Sequence, residues 1–352
     1  MSISTSTFPI PRVQRASASQ RPVAIWLLVC CAMIFLMVVI GGVTRLTESG
    51  LSITEWKPVI GAVPPLSEQE WQTEFEHYQQ IPEYRERNAG MTLAQYKHIF
   101  WWEYVHRLWG RLIGAVYLLP LLGFLATGRV RGKLAWRLSG IFVLGALQGA
   151  LGWYMVKSGL VDRVDVSPYR LTAHLGLALL IYAATLWTAL DLLRPPFSGI
   201  RGAVLRTDGR ALALAAFVFL TMMAGGLVAG TDAGFVYNTF PLMDGHWIPA
   251  GYLDLAPWWL NPFANVAAIQ FDHRVLGIST VLLTLLYWWR AHRNAADSTV
   301  HLVAGMALLQ AALGISTLLL VVPIPLAATH QAGAVALFTL ALVAAQAGRR
   351  RR

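Results

Sequence analysis

The chain has 352 residues, 56% hydrophobic and 13% charged, where soluble domains run near a quarter charged. Its net charge is +10, but the basic residues sit in segments between apolar runs, which points to membrane topology and away from nucleic acid. The runs are continuous and not alternating, which argues against a β-barrel. The only cysteines, Cys30 and Cys31, are adjacent and offer neither a loop-closing disulfide nor a spaced metal pair.

Residues 1–22 are rich in Ser and Arg and contain no acid. They read as a cytoplasmic tail; a transit peptide has the same composition. Eight apolar runs then approach the roughly 20 residues that cross a bilayer: 23–43, 105–126, 134–156, 171–193, 211–229, 267–289, 300–321 and 326–345. The expected fold is an all-α polytopic membrane protein with eight transmembrane helices. The connecting segments alternate in charge. One set carries Arg12, Arg15 and Arg21, then Arg129, Arg131, Lys133 and Arg137, then Arg194, Arg201, Arg206 and Arg210, then Arg290 and Arg293, then Arg349 to Arg352. Asp191, Asp208 and Asp297 are the acids among them. The positive-inside rule therefore puts both termini in the cytoplasm. Two longer segments, 44–104 and 230–266, fall outside; the first, with its Trp and Pro, is expected to fold over the outer membrane face.

The chain repeats itself. Gly41-Gly42-Val43 matches Gly225-Gly226-Leu227. Glu103 to Gly110 matches Gln270 to Gly277. Leu147-Gln148-Gly149-Ala150-Leu151-Gly152 matches Leu309-Gln310-Ala311-Ala312-Leu313-Gly314, and His174 matches His330. Each half has four spans and starts inside, so the expectation is two parallel four-helix repeats about a pseudo-two-fold axis along the membrane normal. They cover 23–195 and 211–346, joined by a cytoplasmic linker at 196–210 and followed by a basic tail at 347–352.

Nine histidines are present. His77, His98, His246, His292 and His301 fall in loops or near span ends. His106, His174, His273 and His330 each fall in the outer part of an even-numbered span, where ionisable groups are costly and mark function. One such residue alone reads as a core histidine; four at matched places read as ligands. Two imidazoles from facing helices are what a six-coordinate haem requires. The pairs are His106 with His174 and His273 with His330. Gly110 and Gly277 lie one turn below two of these ligands and leave room for a flat macrocycle, although small residues also serve helix packing. Arg107 and Arg274 follow two ligands and are placed to hold propionates or to anchor the helix at the interface. One chemical difference separates the matched stretches. Glu103 lies three residues before His106, on the same helix face, where Gln270 precedes His273. A carboxylate there is a candidate proton acceptor; the alternative is a first-turn acid favoured by the helix dipole.

The stretch Gly41-Gly42-Val43-Thr44-Arg45-Leu46-Thr47-Glu48-Ser49-Gly50-Leu51-Ser52, with Thr54-Glu55-Trp56-Lys57-Pro58, Pro64-Pro65 and Glu103-Tyr104-Val105-His106-Arg107, resembles the haem A synthase family in its proteobacterial and mitochondrial branch. The resemblance implies oxidation of the C8 methyl of haem O to a formyl group, giving haem A for terminal oxidases. It implies a substrate haem between His106 and His174 with Glu103 as catalytic carboxylate, and a resident haem b between His273 and His330 for electron transfer. It further implies a bacterial inner-membrane setting, with a haem O synthase and oxidase assembly factors as partners. Two readings compete: a non-enzymatic dihaem cytochrome b linked to quinone, and a haem exporter or chaperone.

Overall fold

The computed structural model describes residues 20–56, 60–162, 164–193, 207–293 and 298–347. Its elements in chain order are α1 (Arg21–Leu46), α2 (Glu68–Tyr78), α3 (Pro82–Glu86), α4 (Leu93–Ala126), α5 (Gly132–Asp162), α6 (Pro168–Leu193), α7 (Gly209–Gly230), α8 (Asn261–Ala264), α9 (Val266–His292), α10 (Ser298–Leu319) and α11 (Ile324–Ala347). Eight of these, α1, α4 to α7 and α9 to α11, are long and apolar enough to cross a membrane. The chain is a multi-pass helical membrane protein. The expected tail at 1–22 and linker at 196–210 fall largely outside the described residues, as do Asp297 and most of the tail at 347–352.

The helices pack in corresponding ways in the two halves. α1 packs on α4 and α6; α7 packs on α9 and α11. α5 lies on α6, and α10 on α11. The halves meet through α6 with α7 and α1 with α11. The joint is apolar, with Leu27, Leu179 and Leu337 almost fully excluded from solvent, and Cys30 and Cys31 are buried in the same core. Polar contacts also join the halves: Arg45 pairs with Asp232 at 2.8 Å and Gln346 donates to Asp191 at 3.0 Å. The Gln331 amide donates to the Val38 carbonyl at 2.8 Å, and Tyr182 Oη meets Thr339 Oγ1 at 2.7 Å. With no water in a bilayer core, such groups are satisfied by protein partners.

The second span differs from the expectation. It opens at Leu93 and not near Val105. Thr92 caps it: its hydroxyl accepts from Gln95 N, and the Gln95 side chain accepts from Thr92 N. The extra turns bury Tyr96, Ile99, Phe100, Glu103 and Tyr104, the spacing of one helix face. That face holds an outer cap. α2 lays Trp71, Phe75 and Tyr78 against it, and Ile81, just before α3, and Leu51 join the same buried cluster. Burying side chains of this size contributes about 1.5–3 kcal/mol each, so the cap is a packed unit resting on α4.

On the opposite side the described acids Asp191 and Asp208 are engaged. Asp191 pairs with Arg137 at 3.0 Å and accepts from Gln346 at 3.0 Å. Asp208 caps α7 by accepting from Arg210 N and Ala211 N.

Candidate functional site

The four singled-out histidines come from α4, α6, α9 and α11. His106 and His174 lie close enough to interact electrostatically, and so do His273 and His330. Each ring rests on a glycine of a neighbouring helix. A methyl on Gly41 of α1 would stand 3.0 Å from Cε1 of His106, and one on Gly225 of α7 would stand 3.0 Å from Cε1 of His273. The matching distances are 2.9 Å from Gly152 of α5 to His174 and 2.7 Å from Gly314 of α10 to His330. No other residue type lets an imidazole approach a helix backbone this closely. The four glycines are those that the sequence repeat pairs with one another: Gly41 with Gly225, and Gly152 with Gly314. The repeat exposed them, but spacing alone gave them no role.

A second matched pair sets the helix carrying each fourth-span ligand. Gln148 Nε2 donates to the His174 carbonyl at 2.9 Å, and Gln310 Nε2 donates to the His330 carbonyl at 2.9 Å. The Gln310 amide also sits 3.1 Å from His330 Nδ1. Nδ1 of His106, His174 and His273 is buried with no hydrogen-bond partner among the described residues. An unmatched buried polar atom is costly, and a bound ligand is one way to offset that cost. The donor set suits haem. Among the described residues no three His, Cys, Asp or Glu side chains converge on one metal position, whereas iron held by a macrocycle needs only two axial imidazoles.

Above each first ligand sits a clasp. Glu103 is 2% exposed. Its Oε1 accepts from Arg107 Nε at 3.1 Å and Nη2 at 2.7 Å; its Oε2 accepts from Ser52 Oγ at 2.8 Å and Ile53 N at 2.7 Å. Arg107 also donates to the carbonyls of Ile53 and Glu55 at 2.8 and 3.2 Å. In the second half Arg274 donates to Gln270 Oε1 and to the carbonyls of Tyr237 and Thr239. Gln270 in turn donates to the carbonyls of Ala233 and Tyr237. The two arginines thus hold loop positions separated by the same interval that relates Gly41 to Gly225. They spend most of their donors on the chain's own loops, which gives them a structural role beside the propionate contact or interfacial anchoring expected from sequence.

The clasp also bears on Glu103. It lies about ten residues inside α4, which removes the reading of a first-turn acid. It faces an N–H and a hydroxyl, where Gln270 faces two carbonyls. The loops therefore give a structural reason for an acceptor in one half and a donor in the other, beside any chemical one. Of the two small residues below the ligands, a methyl on Gly110 would stand 3.4 Å from Met37 Cε, and one on Gly277 would meet open space. Asp272, beside His273, is taken by the Tyr252 hydroxyl at 2.9 Å.

A family model described as cytochrome oxidase assembly protein matches residues 24–342. The chain belongs to that family. It is 52% identical over 349 residues, 97% of either chain, to a protein of Nitrosospira multiformis named Heme A synthase. It is 49% identical over 345 residues to one of Nitrosomonas eutropha with the same name, covering 96% of this chain and 97% of that one. A Rhodospirillum centenum protein of that name is 52% identical over 338 residues, 95% of this chain and 90% of its own.

Proposed function

We propose that the chain is a haem A synthase of a bacterial plasma membrane, converting the C8 methyl of haem O to a formyl group. Near full-length identity to relatives of that name supports the reaction. The observation that carries the site assignment is the set of four imidazoles, each seated on a glycine of a neighbouring helix. Residues 23–195 form the half that takes the substrate haem, between His106 and His174. Residues 211–346 form the half that holds a haem b, between His273 and His330, and a bound haem b would supply electron transfer there. Both termini face the cytoplasm, and the cap faces outward.

Turning a methyl into a formyl group releases protons along with electrons. Glu103 is the carboxylate nearest in sequence to a first-half ligand, one turn from His106, and it serves as the proton acceptor. Arg107 orients it, and Ser52 links it to the loop. Gln270 cannot ionise, which fits a second half that carries electrons and does no proton chemistry.

The test is co-expression with a haem O synthase in a host that lacks haem A, followed by pigment extraction. Haem A should appear with the intact chain and vanish with His106→Ala or His174→Ala. Haem b alone in every extract would favour the non-enzymatic cytochrome.

A further inference from the structure

A cavity of about 320 Å³ opens on the outer side of the first histidine pair. It is lined by Thr54, Glu55, Trp56, Arg107, Trp153 and Lys157, with Val156 and Leu160 behind. Trp56 and Trp153 meet across it with ring centroids 6.4 Å apart. Each ring carries one cation: the Arg107 guanidinium is 5.9 Å from Trp56, and the Lys157 ammonium is 5.1 Å from Trp153. Arg107 is paired with the Glu103 carboxylate, so the cation that the cavity offers is Lys157, with Glu55 as the acid of the lining. Among the described residues four of the five Arg107 N–H groups are engaged, which leaves one on Nη1.

Position ties this cavity to the site. Arg107 adjoins His106, and Trp153 adjoins Gly152, the seat of His174. α5 runs outward here, so Lys157 stands about 7.5 Å beyond Gly152 along the helix axis. A flat dicarboxylate held between the two histidines keeps its ring among apolar helices and sends its charged edge outward. The cavity is where that edge arrives. Its volume suits the polar edge and is small for a whole macrocycle.

The second half is built otherwise at the same place. Applying the interval between Gly152 and Gly314, Trp153 corresponds to Ile315 and Lys157 to Leu319. There the outer loop is tied to the helix by Asn238, whose side-chain amide donates to the Leu318 carbonyl at 2.9 Å. An aromatic contact in one half thus stands where a hydrogen bond closes the other. A substrate must come and go, whereas a resident group need not.

We propose that Lys157, with Trp153 and Trp56, forms a carboxylate-recognition subsite that captures the propionate edge of the haem entering the first half. This rests on the reading of that half as the substrate site. Lys157 supplies the charge, and the two tryptophans form an aromatic rim at the bound edge. Lys157 is exposed, and among the described residues its partner is the Trp153 ring, so its replacement leaves the fold intact.

The experiment titrates purified full-length protein, in lipid nanodiscs and carrying its second-half haem, with iron protoporphyrin IX and separately with its dimethyl ester. Uptake is followed by the low-spin Soret band. Lys157→Gln should weaken binding of the diacid roughly 5-fold, the scale of a solvent-accessible ion pair, and leave the ester unchanged. Lys157→Arg should restore it, and Lys157→Glu should weaken it further. Equal affinity of wild type and Lys157→Gln for the diacid overturns the subsite while leaving the substrate site standing. Wild type that takes up no further haem overturns the substrate-site reading and the subsite with it.

Discussion

Replacing Glu103 by Gln separates proton chemistry from architecture. The carboxylate accepts four hydrogen bonds, two from Arg107, one from Ser52 and one from Ile53 N, and it is 2% exposed. An amide keeps one acceptor oxygen. If that oxygen stays on Ile53 N, the new NH₂ faces the guanidinium; if it turns to Arg107, the Ile53 N–H loses its partner. Leaving a buried donor unmatched costs about 1–3 kcal/mol, and removing one charge of a buried pair costs about 3–5 kcal/mol. Since the amide keeps part of the set, Glu103→Gln should destabilise the cap by about 3 kcal/mol. Thermal unfolding and limited proteolysis of residues 47–92 measure that loss. The chemical loss is read separately in haem extracts. With general acid–base catalysis worth roughly 10²–10⁴ in rate, haem O should accumulate and haem A should nearly disappear, even at low temperature where the cap is folded. Glu103→Asp keeps the charge one methylene further back and should be partly active. Haem A formed at the normal rate by Glu103→Gln once the cap is folded would refute the catalytic role and leave Glu103 as a clasp.

The glycine seats predict a local loss: Gly225→Ala places a methyl 3.0 Å from His273 Cε1 and should deplete the b-type signal, whereas Gly140→Ala, with open space around it, should leave every pigment unchanged. Arg274→Ala removes bonds to Tyr237, Thr239 and Gln270; proteolysis at 237–242 should rise with a stability loss of about 1–3 kcal/mol. Glu83, in the cap and 4% exposed, has its carboxyl pushed from the usual 4.5 up to about 8 by burial, then by the Glu103 and Glu48 carboxylates. Its folded state favours the proton, so its contribution is full below pH 4.5 and is lost as pH rises through 8. Melting of the cap across pH 5 to 8.5 should follow that fall, and Glu83→Gln should flatten it.

The spans, and the placing of four histidines inside them, were legible because twenty apolar residues in a row, and an imidazole inside such a run, are local signals. The start of α4 was not read correctly, although its capping pair Thr92 and Gln95 stands in the sequence. Hydropathy marks where the lipid begins, and this helix continues past it to carry the cap. Glu103 was visible as a difference from Gln270, but its structural reason was hidden. Whether a loop offers N–H or C=O to a side chain depends on the path of Ser52 to Glu55 and of Ala233 to Thr239, which no spacing rule encodes. The loop contacts of the two arginines were hidden for the same cause: many of their partners are carbonyls, and carbonyls carry no sequence signature. The glycine seats lay between. The repeat paired them, yet only close approach gave them a purpose.

Site-resolved pigment analysis tests the central claim most directly. Protein purified after co-expression with a haem O supply would be extracted from wild type, His174→Ala and His330→Ala. The account predicts haem b with haem O or A in the wild type, haem b alone in His174→Ala, and selective loss of haem b in His330→Ala. Loss of the same pigment from both variants, or haem A retained in His174→Ala, would contradict it.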